Sequence, residues 1–156
     1  MSRARHIEID PSAPYRVMAA RVIGVRAEEV FDHEAGTLDT GDIERVHDMR
    51  VATRRLRAAL EFFAPCFPSR PFNRALRDVK ALADALGERR DPDVQIEGLR
   101  ELRESGPAHN RAALDGLMAS FAQRQSAANN LLARELDRAH SSDLPGRLAR
   151  LAASAP

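Results

Sequence analysis

The chain has 156 residues, 44% of them hydrophobic and 30% charged, which is enough apolar material for one core and too much for a disordered segment. Its 24 Lys plus Arg stand against 23 Asp plus Glu, a formal net charge of +1, so bulk charge excludes a protein drawn generally to nucleic acid or membranes; a polyanion site has to come from local clustering. One cysteine, Cys66, excludes an intramolecular disulfide and a cysteine-based metal site, and no apolar run reaches membrane-spanning length.

Residues 1–12 are polar and read as a flexible arm; residues 13–153 read as a single helical domain and 154–156 as a tail. No apolar signal core follows Met1–His6, and a cytoplasmic location is the expectation. The first helix is predicted from about Ala13 to Glu34, with Tyr15, Met18, Ala19, Val22, Val25 and Val30 on its apolar side and Gly36 ending it. The second is predicted to start at Thr40–Asp42, where either residue can cap it, and to end at Pro65 and Pro68. The third opens at Ser69 with Pro71 in its first turn, buries Phe72, Leu76, Val79, Ala83 and Leu86, and stops at Gly87. Asp91-Pro92-Asp93 has the make-up of a fresh helix start, an Asp cap with proline at the first helical position, so a fourth helix is predicted to Glu104. Ser105-Gly106-Pro107 breaks the pattern. A long helix follows from about Ala108 to His140, and Asp143-Leu144-Pro145 opens a short last one. Strand-like alternation and a glycine-rich phosphate loop are both missing from the sequence. The expected fold is all-α, an antiparallel bundle of about five to six helices.

The second helix carries two adjoining stripes. His47, Arg50, Arg54 and Arg57 share one side, and Val46, Met49, Thr53, Leu56, Leu60 and Phe63 share the next. Arginines at the edge of a core lose hydration and need anionic partners, which either the protein or a ligand supplies. The third helix repeats the design, with Arg70, Arg74, Arg77 and Lys80 flanking its apolar side. Antiparallel packing of the two is expected to set both rows on one groove, and the ten residues from His47 to Arg57 span about 15 Å, room for several consecutive phosphates. Of the 24 basic residues only Lys80 is lysine; guanidinium forks match phosphate oxygens bidentately, although arginine bias of this kind also follows from a GC-rich genome. The competing reading is that these arginines pair with Glu44, Asp48, Asp78, Asp84 and Glu88 of the same chain.

The stretch from His47 to Ala58, His-Asp-Met-Arg-Val-Ala-Thr-Arg-Arg-Leu-Arg-Ala, resembles the signature of the CHAD domain, the conserved histidine α-helical domain. Leu86-Gly87-Glu88-Arg89-Arg90-Asp91-Pro92-Asp93-Val94 is similar to that family's Leu-Gly-x-x-Arg-Asp-x-Asp-Val segment. The resemblance covers about the first two-thirds of the chain and looks like the N-terminal half-domain, because no second His-x-x-Arg repeat surrounds His109 or His140. It implies an all-helical fold that binds inorganic polyphosphate or a similar polyanion on a basic surface. On that reading the binding residues are His47, Arg50, Arg54, Arg57, Arg74, Arg77, Lys80 and Arg90. His47 is then a phosphate contact that strengthens on protonation, or else a partly buried histidine bonded to a neighbour. Arg89 and Arg90 either lock a turn against Asp91 or Asp93 or extend the groove, with a structural role expected first for Arg90.

Two other functions suit the same residues: a histidine phosphotransfer bundle with His47 phosphorylated beside Arg50, and a repurposed helical protein-interaction module. An enzyme is not expected, since the sequence offers no nucleophile–base pair or metal-ligand spacing. His6, His33, His47, His109 and His140 are dispersed, so neither a metal site nor a cofactor is expected. Symmetric pairing of two copies would rebuild a two-half arrangement, so a homodimer is expected; no membrane and no specific nucleic acid are expected as partners.

Overall fold

The computed structural model describes residues 3–154; Met1, Ser2, Ala155 and Pro156, parts of the expected arm and tail, lie outside the described residues. Five α-helices follow in order: α1 (Tyr15–Asp32), α2 (Ile43–Phe63), α3 (Ser69–Ser105), α4 (Arg111–Ser141) and α5 (Leu144–Ala153), with short 3-10 turns at Ala64–Cys66 and Ala108–Asn110. None of the described helices is long and apolar enough to cross a membrane.

The helices begin and end near the positions that proline and glycine mark, and among the described helices α5 alone has a side-chain cap. Pro14 precedes α1, and its carbonyl accepts from Val17 and Met18. Gly36, at φ +80°, turns the chain after α1, a conformation that L side chains rarely adopt. Asp42 precedes α2 as expected, but its carboxylate pairs with Arg45 at 3.1 Å instead of capping backbone N–H groups. The Asp143 side chain does cap α5, accepting from the Gly146 N–H at 3.2 Å.

One prediction fails. The chain does not break at Gly87 and restart at Asp91; α3 is a single helix of 37 residues with Pro92 inside it. Proline lacks the N–H that the Glu88 carbonyl would accept and crowds the preceding turn, typically at about 3 kcal/mol. Here burial offsets that penalty. Leu82, Ala85, Leu86, Arg89, Pro92 and Asp93 are all buried, so the turns on both sides of the proline are held inside the protein.

Successive helices pack antiparallel. The ring centroids of Tyr15 and Phe63 lie 5.3 Å apart at one end of α1 and α2. Lys80 meets Glu61 near one end of the α2–α3 pair, and Arg90 meets Glu44 near the other. Arg103–Asp115 and Arg89–Asn129 set the same sense for α3 and α4. α5 then folds back on α1, touching α3 and α4 as well. The core draws Ala19, Ile23 and Val30 from α1; Val46, Met49, Leu56 and Leu60 from α2; Phe72, Val79, Leu82 and Leu86 from α3; Leu132 and Leu136 from α4; and Leu144, Leu148 and Leu151 from α5. Of the expected apolar side of α1, Ala19 and Val30 are buried, Met18, Val22 and Val25 are half-buried and Tyr15 is exposed, while Ile23 and Ala27 are buried as well.

The core stops part-way along the α3–α4 hairpin. From Val94 to Ala127 no residue is buried, and Val94, Leu102 and Leu117 are exposed. Leu114 and Leu117, at core spacing in the sequence, therefore lie on a projecting two-helix arm.

Candidate functional site

The arginine stripe of α2 opens on a groove against α3. Arg50, Arg54 and Arg57 form one wall of a 480 Å³ cleft, and Ala83, Asp84, Gly87, Glu88 and Asp91 form the other. The stripe exists because Met49, Thr53, Leu56 and Leu60 fix the rotation of α2, burying their own side and leaving the neighbouring one at the boundary. The facing wall is acidic, so three cations oppose three carboxylates. Yet none of those carboxylates holds Arg50 or Arg54. Neither arginine makes a hydrogen bond or ion pair among the described residues, although Arg50 is half-buried.

Arg57 is tethered. Its Nε donates to Glu61 Oε1 at 3.2 Å, and Lys80 Nζ reaches the same oxygen at 3.1 Å. Hydrogen bonds from Lys80 and from Arg57 hold the Glu61 carboxyl below its ordinary range. Lys80 thus joins the α2 row through a shared acid. His47 stands on the same stripe one turn before Arg50, half-buried, outside the residues lining the groove and without a hydrogen bond or ion pair among the described residues.

The rest of the α3 row does not face this groove. Arg77 bonds its neighbour Asp78 at 3.2 Å. Arg70 and Arg74 line a separate 510 Å³ pocket with Arg147 and Arg150 of α5. The single two-row groove expected from the sequence is therefore divided: residues 80–91 of α3 approach the α2 row, while its first turns face α5. The physical reason is the length of the core stripe from Phe72 to Leu86, which winds the flanking positions of α3 around from α5 toward α2.

A third polar cluster is built around two buried residues, Arg89 and Asp93. Arg89, with no exposed surface, donates from Nη1 to Asp93 one turn on and from Nε to Asn129 Oδ1 at 3.0 Å. Gln125 donates to the same Asp93 oxygen at 2.6 Å, and Asn129 donates to the Leu38 carbonyl at 3.0 Å. The cluster thus binds α3 to α4 and to the α1–α2 loop. Of the two candidate turn-locking arginines, Arg89 takes the structural place, with Asp93 as its acid. Arg90 is largely buried near the start of α2, 3.9 Å from Glu44, and its Nη1 has no hydrogen-bond partner among the described residues. Sequence reasoning missed Gln125 and Asn129, and also Arg147 and Arg150. The i, i+4 spacing of Arg89 and Asp93 was the one available signal; the others meet their partners only through tertiary packing.

Fold and site together define a class, an all-α bundle in which arginines without an internal acid line two clefts between helices. Within that class the chain belongs to the CHAD domain family: the family model described as CHAD domain matches residues 21–156. The match extends well past the two-thirds that the two motifs cover and takes in α4 and α5. No curated protein matches the chain.

Proposed function

We propose that the protein binds inorganic polyphosphate, or a similar linear polyanion, in the groove between α2 and α3. The observation that carries the reading is the state of Arg50 and Arg54. They lie one helical turn apart on one wall of an open groove, and no side chain of the described protein neutralises either. Arg57 and Lys80 extend the row at one end; His47 and the unmatched Nη1 of Arg90 extend it at the other. A flexible chain of phosphates needs no base readout, only cations at repeated spacing, and guanidinium forks bind its oxygens by charge-assisted pairs. Asp84, Glu88 and Asp91 oppose it, so affinity is set by how far the bound chain stays on the α2 side.

The deciding experiment titrates long-chain polyphosphate into the native protein and into an Arg50→Ala, Arg54→Ala variant. Both arginines are unpaired and alanine favours helix, so the variant keeps its fold. At least tenfold weaker binding and a shallower dependence on salt are expected. Equal affinity in the two proteins overturns the assignment.

We also propose that two copies pair through the arm formed by the distal halves of α3 and α4. Its exposed Val94, Leu102 and Leu117 support this, as does the 690 Å³ cleft lined by Pro92, Phe121, Ala128 and Leu131 at its base. Two such arms lying side by side bury on the order of 1,000 Å² in total, the lower bound for a specific interface.

A further inference from the structure

We infer that the pocket between the first turns of α3 and helix α5 is a second anion site, separate from the polyphosphate groove, and that it takes an organic phosphate monoester. Four arginines line it, Arg70 and Arg74 from α3 with Arg147 and Arg150 from α5, and no carboxylate among the described residues does. In the groove, by contrast, three carboxylates face three arginines.

Arg147 is held as a fixed donor. Its Nε donates to the Ser142 carbonyl at 2.8 Å, and its Nη2 donates to Asp78 Oδ2 at 2.7 Å and to Ser142 Oγ at 2.8 Å. One edge of the guanidinium is therefore saturated, while Nη1 is buried without a partner among the described residues. Arg147 therefore presents a fixed, preorganised positive charge at the wall of the pocket. Asp78 offsets the charge of Arg147, and Asp143 offsets that of Arg150 at 2.9 Å. Arg70 and Arg74 are exposed and have no ion pair or hydrogen bond among the described residues, leaving two uncompensated positive charges. Two charges match the dianion of a phosphate monoester.

Shape gives the rest of the ligand class. The walls are hydrocarbon from Pro68, Pro71 and Leu151 together with the arginine stems, and the space is 510 Å³. Inorganic phosphate leaves those walls in water, and a linear phosphate polymer has nothing apolar to lay on them. An ester with a compact organic group uses both the cations and the walls.

Phenyl phosphate and inorganic phosphate serve as probes, titrated calorimetrically at low salt into the native chain, an Arg70→Ala, Arg74→Ala variant, and the groove variant Arg50→Ala, Arg54→Ala. Phenyl phosphate is expected to bind the native chain at one site, at least fivefold tighter than inorganic phosphate. The α3 variant is expected to lose at least tenfold in that affinity and the groove variant to keep it. Because Arg70 and Arg74 are exposed and make no ion pair or hydrogen bond among the described residues, circular dichroism and melting of that variant should be unchanged, so a loss of binding reads the site. No saturable binding of phenyl phosphate, equal affinity for inorganic phosphate, or equal binding by native and α3 variant each overturns the proposal. Loss in the groove variant with retention in the α3 variant overturns it as well and assigns the probe to the groove.

Discussion

Removing the Asp93 carboxylate tests how α3 survives its internal proline. Arg89 is fully buried, and Asp93 is the acid it pairs with; Asp93→Ala leaves a guanidinium enclosed without a counter-charge. Breaking a buried pair by deleting one partner costs about 3–5 kcal/mol. Gln125 also loses its acceptor, and the gap left by the side chain adds to the damage. Against a total stability of about 5–15 kcal/mol, this is a large fraction. At about 2–4 °C per kcal/mol for a domain of this size, the melting temperature should fall by roughly 10–15 °C. Arg89→Met with Asp93→Leu removes both charges together, and such replacements are often neutral or stabilising. Urea unfolding of the wild type, Arg89→Met, Asp93→Leu and the double variant gives the coupling directly. The double variant should be far more stable than Asp93→Ala alone. A change below about 1 kcal/mol for Asp93→Ala would refute the reasoning, because the buried guanidinium would then not depend on that acid.

Further outcomes follow from the same geometry. Converting Asp84, Glu88 and Asp91 to Asn, Gln and Asn removes the acidic wall of the groove and should tighten polyphosphate binding several-fold; a titration showing no gain would place the polymer elsewhere. Acid should weaken the fold through Glu29 and Asp78. Burial works to raise both carboxyls. It is outweighed at Glu29 by the Arg5 backbone N–H and the Arg26 guanidinium, and at Asp78 by Arg147 and Arg77, so both end below their ordinary values of 4.5 and 3.8. Lowered carboxyl pKa values add stability above those pH values that disappears as pH falls through the folded-state values. Urea midpoints should therefore drop below about pH 4.5, and less steeply in a Glu29→Gln, Asp78→Asn variant. Sedimentation should find a dimer at micromolar concentration and a monomer for Leu102→Glu, Leu117→Glu; identical profiles would remove the arm as an interface. His47→Ala should weaken polyphosphate binding a few-fold, and an unchanged affinity would take His47 out of the site.

The helix boundaries were legible where local chemistry decides them. The Pro65–Pro68 stretch, Gly106-Pro107 and Asp143 all end or begin helices as their side chains require. The arginine wall of the groove was legible too, because period 3.6 alone puts Arg50, Arg54 and Arg57 together. Gly87 and Asp91-Pro92 misled for the opposite reason. Their local preference is to stop and restart a helix, but burial of Leu86, Arg89, Pro92 and Asp93 overrides it. Nor does periodicity say which neighbour a flanking stripe will face. Arg74 and Lys80, on one predicted row, end in different surroundings because α5 covers the first turns of α3 and α2 covers the middle.

The arginines divide by what holds them, and that division separates architecture from recognition. Arg103 is committed to Asp115 and Arg147 to Asp78, pairs that join one helix to another, while Arg26–Glu29 and Arg89–Asp93 are pairs within α1 and within α3. Arg50, Arg54, Arg70 and Arg74 have no such commitment among the described residues, and they fall at two clefts on opposite neighbours of α3. A chain of net charge +1 can thus offer strong local fields where arginines gather without an acid within pairing distance. Uniform neutralisation would have produced a bundle of equal overall charge and no binding surface. It follows that changes in the paired set should alter stability first and affinity only as a consequence, whereas changes in the unpaired set should alter affinity and leave the melting temperature where it was.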